Sequence, residues 1–266
     1  MFFNLKGKGS GDIISAISCI SLPLYLAKSD IRQRYRRSVL GPFWITISTA
    51  VMVACLGFIF SSIFKASLAE FLPFIATGLI TWGFISSCVT ESTAVFSSAE
   101  SIIKQLPIPL FSHVIRMVAR NFYIFLHNLV ILPFVLFLVG RGLTFNTLFF
   151  FPGISLLILN LLWFSLILGI VCTRYRDLSQ IVINILQIFF YITPIIWLPS
   201  ALSGRSTLLV LDANPFFHLM EIVRAPIMGH APTANNWLIT VLMCIIGWLI
   251  TVVIFNRYKT KIAYWL

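Results

Sequence analysis

Between residues 43 and 255 the chain is a succession of apolar runs, each about as long as a bilayer is thick, broken by short polar segments. A helix needs about 20 apolar residues to cross a hydrocarbon layer of ~30 Å. Six runs reach that length, at 43–64, 71–96, 114–139, 149–172, 178–198 and 237–255. A transmembrane barrel would show short alternating segments instead. Only 10% of residues are charged and the mean hydropathy is +0.98, whereas a soluble domain carries about 25% charged residues. The fold class is therefore an all-α membrane protein with six transmembrane helices.

Basic residues set the orientation. With both termini in the cytoplasm, 15 of the 19 lysines and arginines fall on cytoplasmic segments, as the positive-inside rule requires. The formal charge of +11 thus reports topology and attraction to anionic lipid headgroups, and gives no reason to invoke nucleic acid. The termini become a cytoplasmic segment at 1–42 and a cytoplasmic tail at 257–266, flanking a transmembrane domain at 43–256.

The N-terminal segment divides into an apolar stretch and a cationic one. Ile13, Ile17, Ile20 and Leu24 recur at helical spacing with serines between them, which suits an amphipathic helix lying in the membrane interface, with Asp12 as its cap. A cleaved signal peptide fits less well, because Arg32, Arg34, Arg36 and Arg37 follow directly and oppose translocation. Pro42 then precedes the first span, with Trp44 at headgroup level.

Between the second and third spans runs "SSAESIIKQLPIPL". Ser97 and Glu100 have capping-box spacing, so a helix is predicted from near Ser98. Pro107 and Pro109 close it, giving a segment at about 98–109 tied at both ends to spans. It is either a capped connector or a lever for a cytoplasmic partner. In the third span His113, Arg116 and Arg120 share one face. The arginines either snorkel to headgroups or meet an anionic head group. Glu91, near the inner end of span two, calls for a basic or hydroxyl partner.

"VCTRYRDLSQI" is too short to do more than join two antiparallel neighbours, spans four and five. The segment at 200–234 is too long for a tight turn and too interrupted to span. In it, His218, Glu221 and Arg224 form a polar stripe opposite Phe217, Met220 and Val223. Short re-entrant helices from the outer side would produce this pattern, and such backbone is tolerated only when buried in protein or lining a wet cavity. A surface helix is the plainer alternative.

Nothing supports catalysis. The chain has no G-x-x-x-x-G-K-[ST] loop, no H-E-x-x-H and no nucleophile elbow. Its eight acidic residues are dispersed, and its five cysteines lie far apart with no C-x-x-C pair, so neither a metal site nor a disulfide is indicated. No cofactor is expected on this chain.

The motifs "DIRQRYRRSVLGPFW", "SIIKQLPIPL", "RYRDLSQIVINILQIFFYITPIIWLP" and "NPFFHLMEIVRAPIMG", in this order, resemble the permease subunits of ABC exporters for lipid-linked polysaccharide, in particular the O-antigen group. The resemblance covers nearly the whole chain. It implies a homodimer with two copies of a cytoplasmic ABC ATPase that binds the ATP and Mg, a bacterial inner-membrane location, and an undecaprenyl-diphosphate-linked glycan as cargo. It also implies that the 98–109 segment is a coupling helix, with Ser98, Glu100, Ile102, Ile103, Lys104 and Leu106 toward the ATPase. Arg34, Arg36 and Arg37, with Arg116 or Arg120, then stand where a diphosphate would arrive, and arginine suits it through bidentate hydrogen bonds. Aromatics on spans one and five, Phe58, Phe60, Phe189, Tyr191 and Trp197, would offer stacking platforms in a conduit, together with the His218, Glu221 and Arg224 stripe. Export of a capsular polysaccharide or teichoic acid, or a non-transporting scaffold for polysaccharide assembly, remain alternatives. A proton-coupled carrier is disfavoured by the absence of carboxylates from the middle of the spans.

Overall fold

The computed structural model describes residues 9–36, 41, 43–65, 67–142, 144–199 and 211–266. Arg37, Pro42 and the 200–210 part of the expected re-entrant segment lie outside the described residues. Where described, the chain is helical and contains no strand.

The first two helices are α1 (Gly9–Ser18) and α2 (Ser21–Tyr35), bent by 70°. Sequence periodicity predicted one continuous helix. The break has a local cause: the ring of Pro23 collides with the carbonyl four residues back, at Cys19. Ala16, Ala27 and Ile31 pack inward, while Ile17 and Ile20 are exposed.

Among the described residues, five helices are long and apolar enough to cross a membrane. They are α3 (Phe43–Phe64), α4 (Leu68–Ser92), the pair α6 (Leu110–Leu129) and α7 (Ile131–Leu138), α8 (Phe150–Arg174) with its preceding 3₁₀ turn, and α11 (Ala234–Trp265). Pro133 breaks the third at Val130, again one turn ahead of the proline. The fifth predicted span is shorter than expected. It is α9 (Leu178–Ile192), 15 residues or about 22 Å, and it stops because Pro194 forces Thr193 into extended backbone. The sixth is longer: α11 runs straight through the predicted tail to Trp265. Among the described residues two shorter helices remain, α5 (Glu100–Gln105) and α10 (Pro215–Ile227).

The helix α4 is the centre of the bundle. Most of its residues are buried, and it packs against α3, α6, α7, α8, α9 and α10. By contrast α3 buries only Thr46, Val53, Gly57 and Ser61, a single stripe of mostly small residues, and α9 buries only Leu186. Small residues permit close approach elsewhere too. A Cβ on Gly153 of α8 would lie 2.2 Å from the Ile222 carbonyl of α10, and one on Gly247 of α11 would lie 2.2 Å from the Trp163 ring of α8.

Candidate functional site

Charge gathers at one end of the bundle, where α1, α2 and α5 meet the end of α4, the start of α6 and the ends of α8 and α11. Arg116 of α6 forks onto Asp30 of α2, with Nε–Oδ2 at 2.8 Å and Nη2–Oδ1 at 2.5 Å. Arg120, one turn on, reaches both Asp30 at 3.2 Å and Glu91 of α4 at 2.6 Å. Asn121 donates to the same Glu91 oxygen at 2.6 Å. The basic partner that Glu91 called for is therefore Arg120. Burial works to raise the Asp30 carboxyl, but the hydrogen bond and charge of Arg116, then Arg120, outweigh it and hold the group below its usual range. These contacts clamp α2 against α4 and α6.

Arg116 and Arg120 thus have carboxylate partners that the sequence reading did not assign. Arg34 and Arg36, at the end of α2, are exposed and make no ion pair among the described residues.

A buried carboxylate, Asp12, sits at the same end. Asp12 was expected to cap its own helix. Instead its carboxylate accepts from the Leu110 and Phe111 amides of α6, at 3.1 and 2.9 Å, and lies 3.4 Å from Lys259 Nζ of α11. A carboxylate against the exposed N–H groups at the start of a helix is the favourable sign for the helix dipole.

The helix α5 projects from the same end. The capping box is not formed: a 3₁₀ turn, Ser97–Ala99, comes first, and the Ser97 hydroxyl donates back to the Ala94 carbonyl at 3.2 Å. Glu100 instead pairs with Lys104 at 2.6 Å, whose hydrogen bond holds its carboxyl below the usual range. No residue of α5 is buried. Ile102 and Ile103 are half-covered, Ile103 against the core, while Ser98 and Leu106 are exposed.

The opposite end holds α10. Asn214 begins it by accepting from the Phe216 and Phe217 amides, with Pro215 in the first turn. The polar stripe faces protein. His218 is 1% exposed, with Nδ1 2.8 Å from Asn236 Oδ1 and Nε2 2.8 Å from the Asp212 carbonyl oxygen. Arg224 is 2% exposed; it donates to Glu221 and, at 2.6 Å, to the Pro194 carbonyl, and lies 4.2 Å over the Phe74 ring. In this chain the two residues tie α10 to α4, to α11 and to the turn after α9.

The aromatic candidates separate into two groups. Phe58 of α3 and Tyr191 of α9 are exposed. Phe60 stacks on Phe64 at 5.9 Å, Phe189 meets Phe216 edge-on at 4.9 Å, and Trp197 donates to the Tyr191 carbonyl at 3.0 Å. Among the described residues no cluster of histidine, cysteine or carboxylate could hold a metal, and all five cysteines are free.

A bundle of long apolar helices with its ionic ties at the two ends is a multi-pass membrane protein. The chain belongs to the ABC-2 type transporter membrane family, whose pattern matches residues 24–228. It is 24% identical over 246 residues to an O-antigen export system permease protein RfbA of Klebsiella pneumoniae, covering 91% of this chain and 93% of that one. A second Klebsiella pneumoniae protein of that name is 26% identical over 250 residues, with the same coverage. The Myxococcus xanthus protein of that name is 25% identical over 211 residues, covering 79% of this chain and 81% of its own.

Proposed function

We propose that this chain is the transmembrane subunit of an ATP-driven exporter that carries a lipid-linked polysaccharide of O-antigen type across the bacterial inner membrane. It acts as a homodimer with two copies of a separate ABC ATPase, which binds the ATP and Mg, and both its termini face the cytoplasm. The observation that carries this reading is likeness to O-antigen export permeases over about nine-tenths of both chains.

Features of the chain accord with it. The unburied α5 offers an ATPase a docking helix at the end where the basic residues gather. The thinly covered α3 and α9 offer faces to a second copy, with Phe58 and Tyr191 toward the conduit between them. Arg34, Arg36 and Arg37 receive the carrier diphosphate. Arg116 and Arg120 contribute when the diphosphate takes over their hydrogen bonds from Asp30, since both are anions offering oxygen acceptors.

The test is a deletion of the gene in its host, with surface glycan and membrane-bound glycan measured separately. An exporter predicts that lipid-linked glycan accumulates inside while surface glycan is lost. An assembly scaffold predicts that no full-length lipid-linked glycan forms, and that result would reject the transport reading.

A further inference from the structure

We propose that the ends of α8 and α11 together form a binding site for the headgroup of an anionic phospholipid. The structure brings two stretches side by side that follow the same pattern. On α8 it is "IVCTRY", with Ile170, Val171, Arg174 and Tyr175. On α11 it is "VIFNRY", with Val253, Ile254, Arg257 and Tyr258. Each has two apolar residues, then one turn later an Arg-Tyr pair. These eight residues and Trp265 line one cavity of about 440 Å³.

The chemistry of the cavity changes along its depth. Its floor is the four aliphatic side chains, on the membrane side. Its rim is cationic and aromatic, where each helix leaves its apolar run. Arg174 lies 5.1 Å from the Trp265 ring and 5.2 Å from that of Tyr175. Arg257 lies 5.8 Å, and Lys261 5.6 Å, from the Tyr258 ring. Tyr258 and Trp265 pack at 5.6 Å. Stacking on rings holds the guanidinium planes while leaving their N–H forks free for an oxyanion.

These cations differ from the five that are held in ion pairs. Arg116, Arg120, Arg224, Lys104 and Lys259 each meet a carboxylate. Arg174, Arg257 and Lys261 meet none among the described residues, and no acidic residue lines the cavity. The shared ligand chemistry is a phosphate. The aliphatic floor decides its source: a free phosphate gains nothing from it, whereas a glycerophospholipid places its upper acyl chains there. Basic pockets between membrane helices at headgroup level are suited to such lipids, and tyrosine and tryptophan are at home at that depth.

The test uses purified full-length protein in mild detergent and native mass spectrometry. Phosphatidylglycerol and phosphatidylcholine with identical acyl chains are added in turn, then inorganic phosphate. The wild type should retain phosphatidylglycerol about tenfold better than phosphatidylcholine, the effect of roughly one charge-assisted contact, and millimolar phosphate should not displace it. The double variant Arg174→Gln/Arg257→Gln should lose the preference. Should that variant not fold, Arg174→Lys/Arg257→Lys keeps the charge without the fork and should weaken retention several-fold. Equal retention of the two lipids by the wild type overturns the site and leaves the cavity to a protein partner. An undiminished preference in the folded variants also overturns it. Displacement by phosphate alone would make it a free-anion site. Since lipid retention is read without export, the outcome is independent of the transport function.

Discussion

Asp12 caps a helix that starts 98 residues further along the chain, its two carboxylate oxygens each accepting one amide, from Leu110 and Phe111. The contact locks α1 to the point where the α5 loop ends and α6 begins. Because the side chain is almost fully buried, water cannot replace it. Asp12→Ala should therefore cost at least the 1–2 kcal/mol typical of a lost N-cap (about that order), and Asp12→Asn less, since one acceptor remains. Thermal unfolding ranks the variants. Hydrogen exchange at the Leu110 and Phe111 amides should accelerate first. Unchanged exchange there would show that the cap is not what protects α6.

The Arg116–Asp30 fork makes a separable prediction. A double-mutant cycle with Arg116→Gln and Asp30→Asn should give a coupling of roughly 1–3 kcal/mol, because the pair is bidentate and largely shielded. Arg116→Lys should recover only part of it. The pH dependence has a definite sign. The Asp30 pKa is depressed in the folded protein, so its contribution is fully present above the ordinary carboxylate value of about 3.9 and disappears as pH falls through the lower, folded value. Release of α2, followed by a fluorophore on that helix, should be flat from neutral pH down to about 4. In Asp30→Asn the release should already be present at neutral pH.

Arg224 should be the most costly charged residue to remove. Truncating one member of a buried ionic pair is worth about 3–5 kcal/mol, because the remaining groups are left without solvation. Arg224→Ala strands Glu221 and the Pro194 carbonyl and empties the space over Phe74. Lysine can satisfy one of these contacts at most. Detergent thermal melts should fall in the order wild type, Arg224→Lys, Arg224→Ala, with Glu221→Gln milder than either.

The long helices were legible in the sequence because the bilayer requires roughly one length and one composition, and five of the six expected spans are helices that meet both. Their ends were less legible. Proline explains three differences, at Pro23, Pro133 and Pro194, because its ring acts on a carbonyl four residues back or on the residue before it, within an otherwise uniform apolar run. The ionic ties were hidden for another reason. Asp12 with Leu110, Asp30 with Arg116 and Glu91 with Arg120 are pairings between distant segments, and a single sequence carries each partner without its address. Glu91 could be flagged, since a carboxylate there needs a partner, but not matched. The capping box failed for a local reason: Lys104 sits one turn after Glu100 and takes its carboxylate away from the backbone.

Arg34 and Arg36 separate two readings of the cationic turn. If the arginines only pin α2 to anionic headgroups, lysine serves as well. If they grip a diphosphate, lysine keeps the charge but loses the fork, and losing one bidentate contact should weaken binding about tenfold. Substrate-stimulated ATP hydrolysis of the reconstituted complex, measured for Arg34→Lys and Arg36→Lys, decides between them. Wild-type stimulation in both would leave pinning as their role.

The helix α5 gives the most direct test of ATPase docking. Its ion pair between Glu100 and Lys104 is exposed, so its loss should cost the fold little. Ile103 packs against the core, and a charge there would mix folding with docking. Leu106 is 53% exposed and Ile102 is half-covered, so these are the apolar groups on this helix most open to a partner. Placing aspartate at both should leave insertion and thermal stability near wild type, because no residue of α5 is buried. It should nevertheless strip apolar contact area from the docking face. The expected result is loss of ATPase co-purification and at least a tenfold drop (roughly, for one lost hot spot of about 1.4 kcal/mol or more) in surface glycan. Normal glycan export by a stably inserted double variant would place the ATPase contact on some other segment.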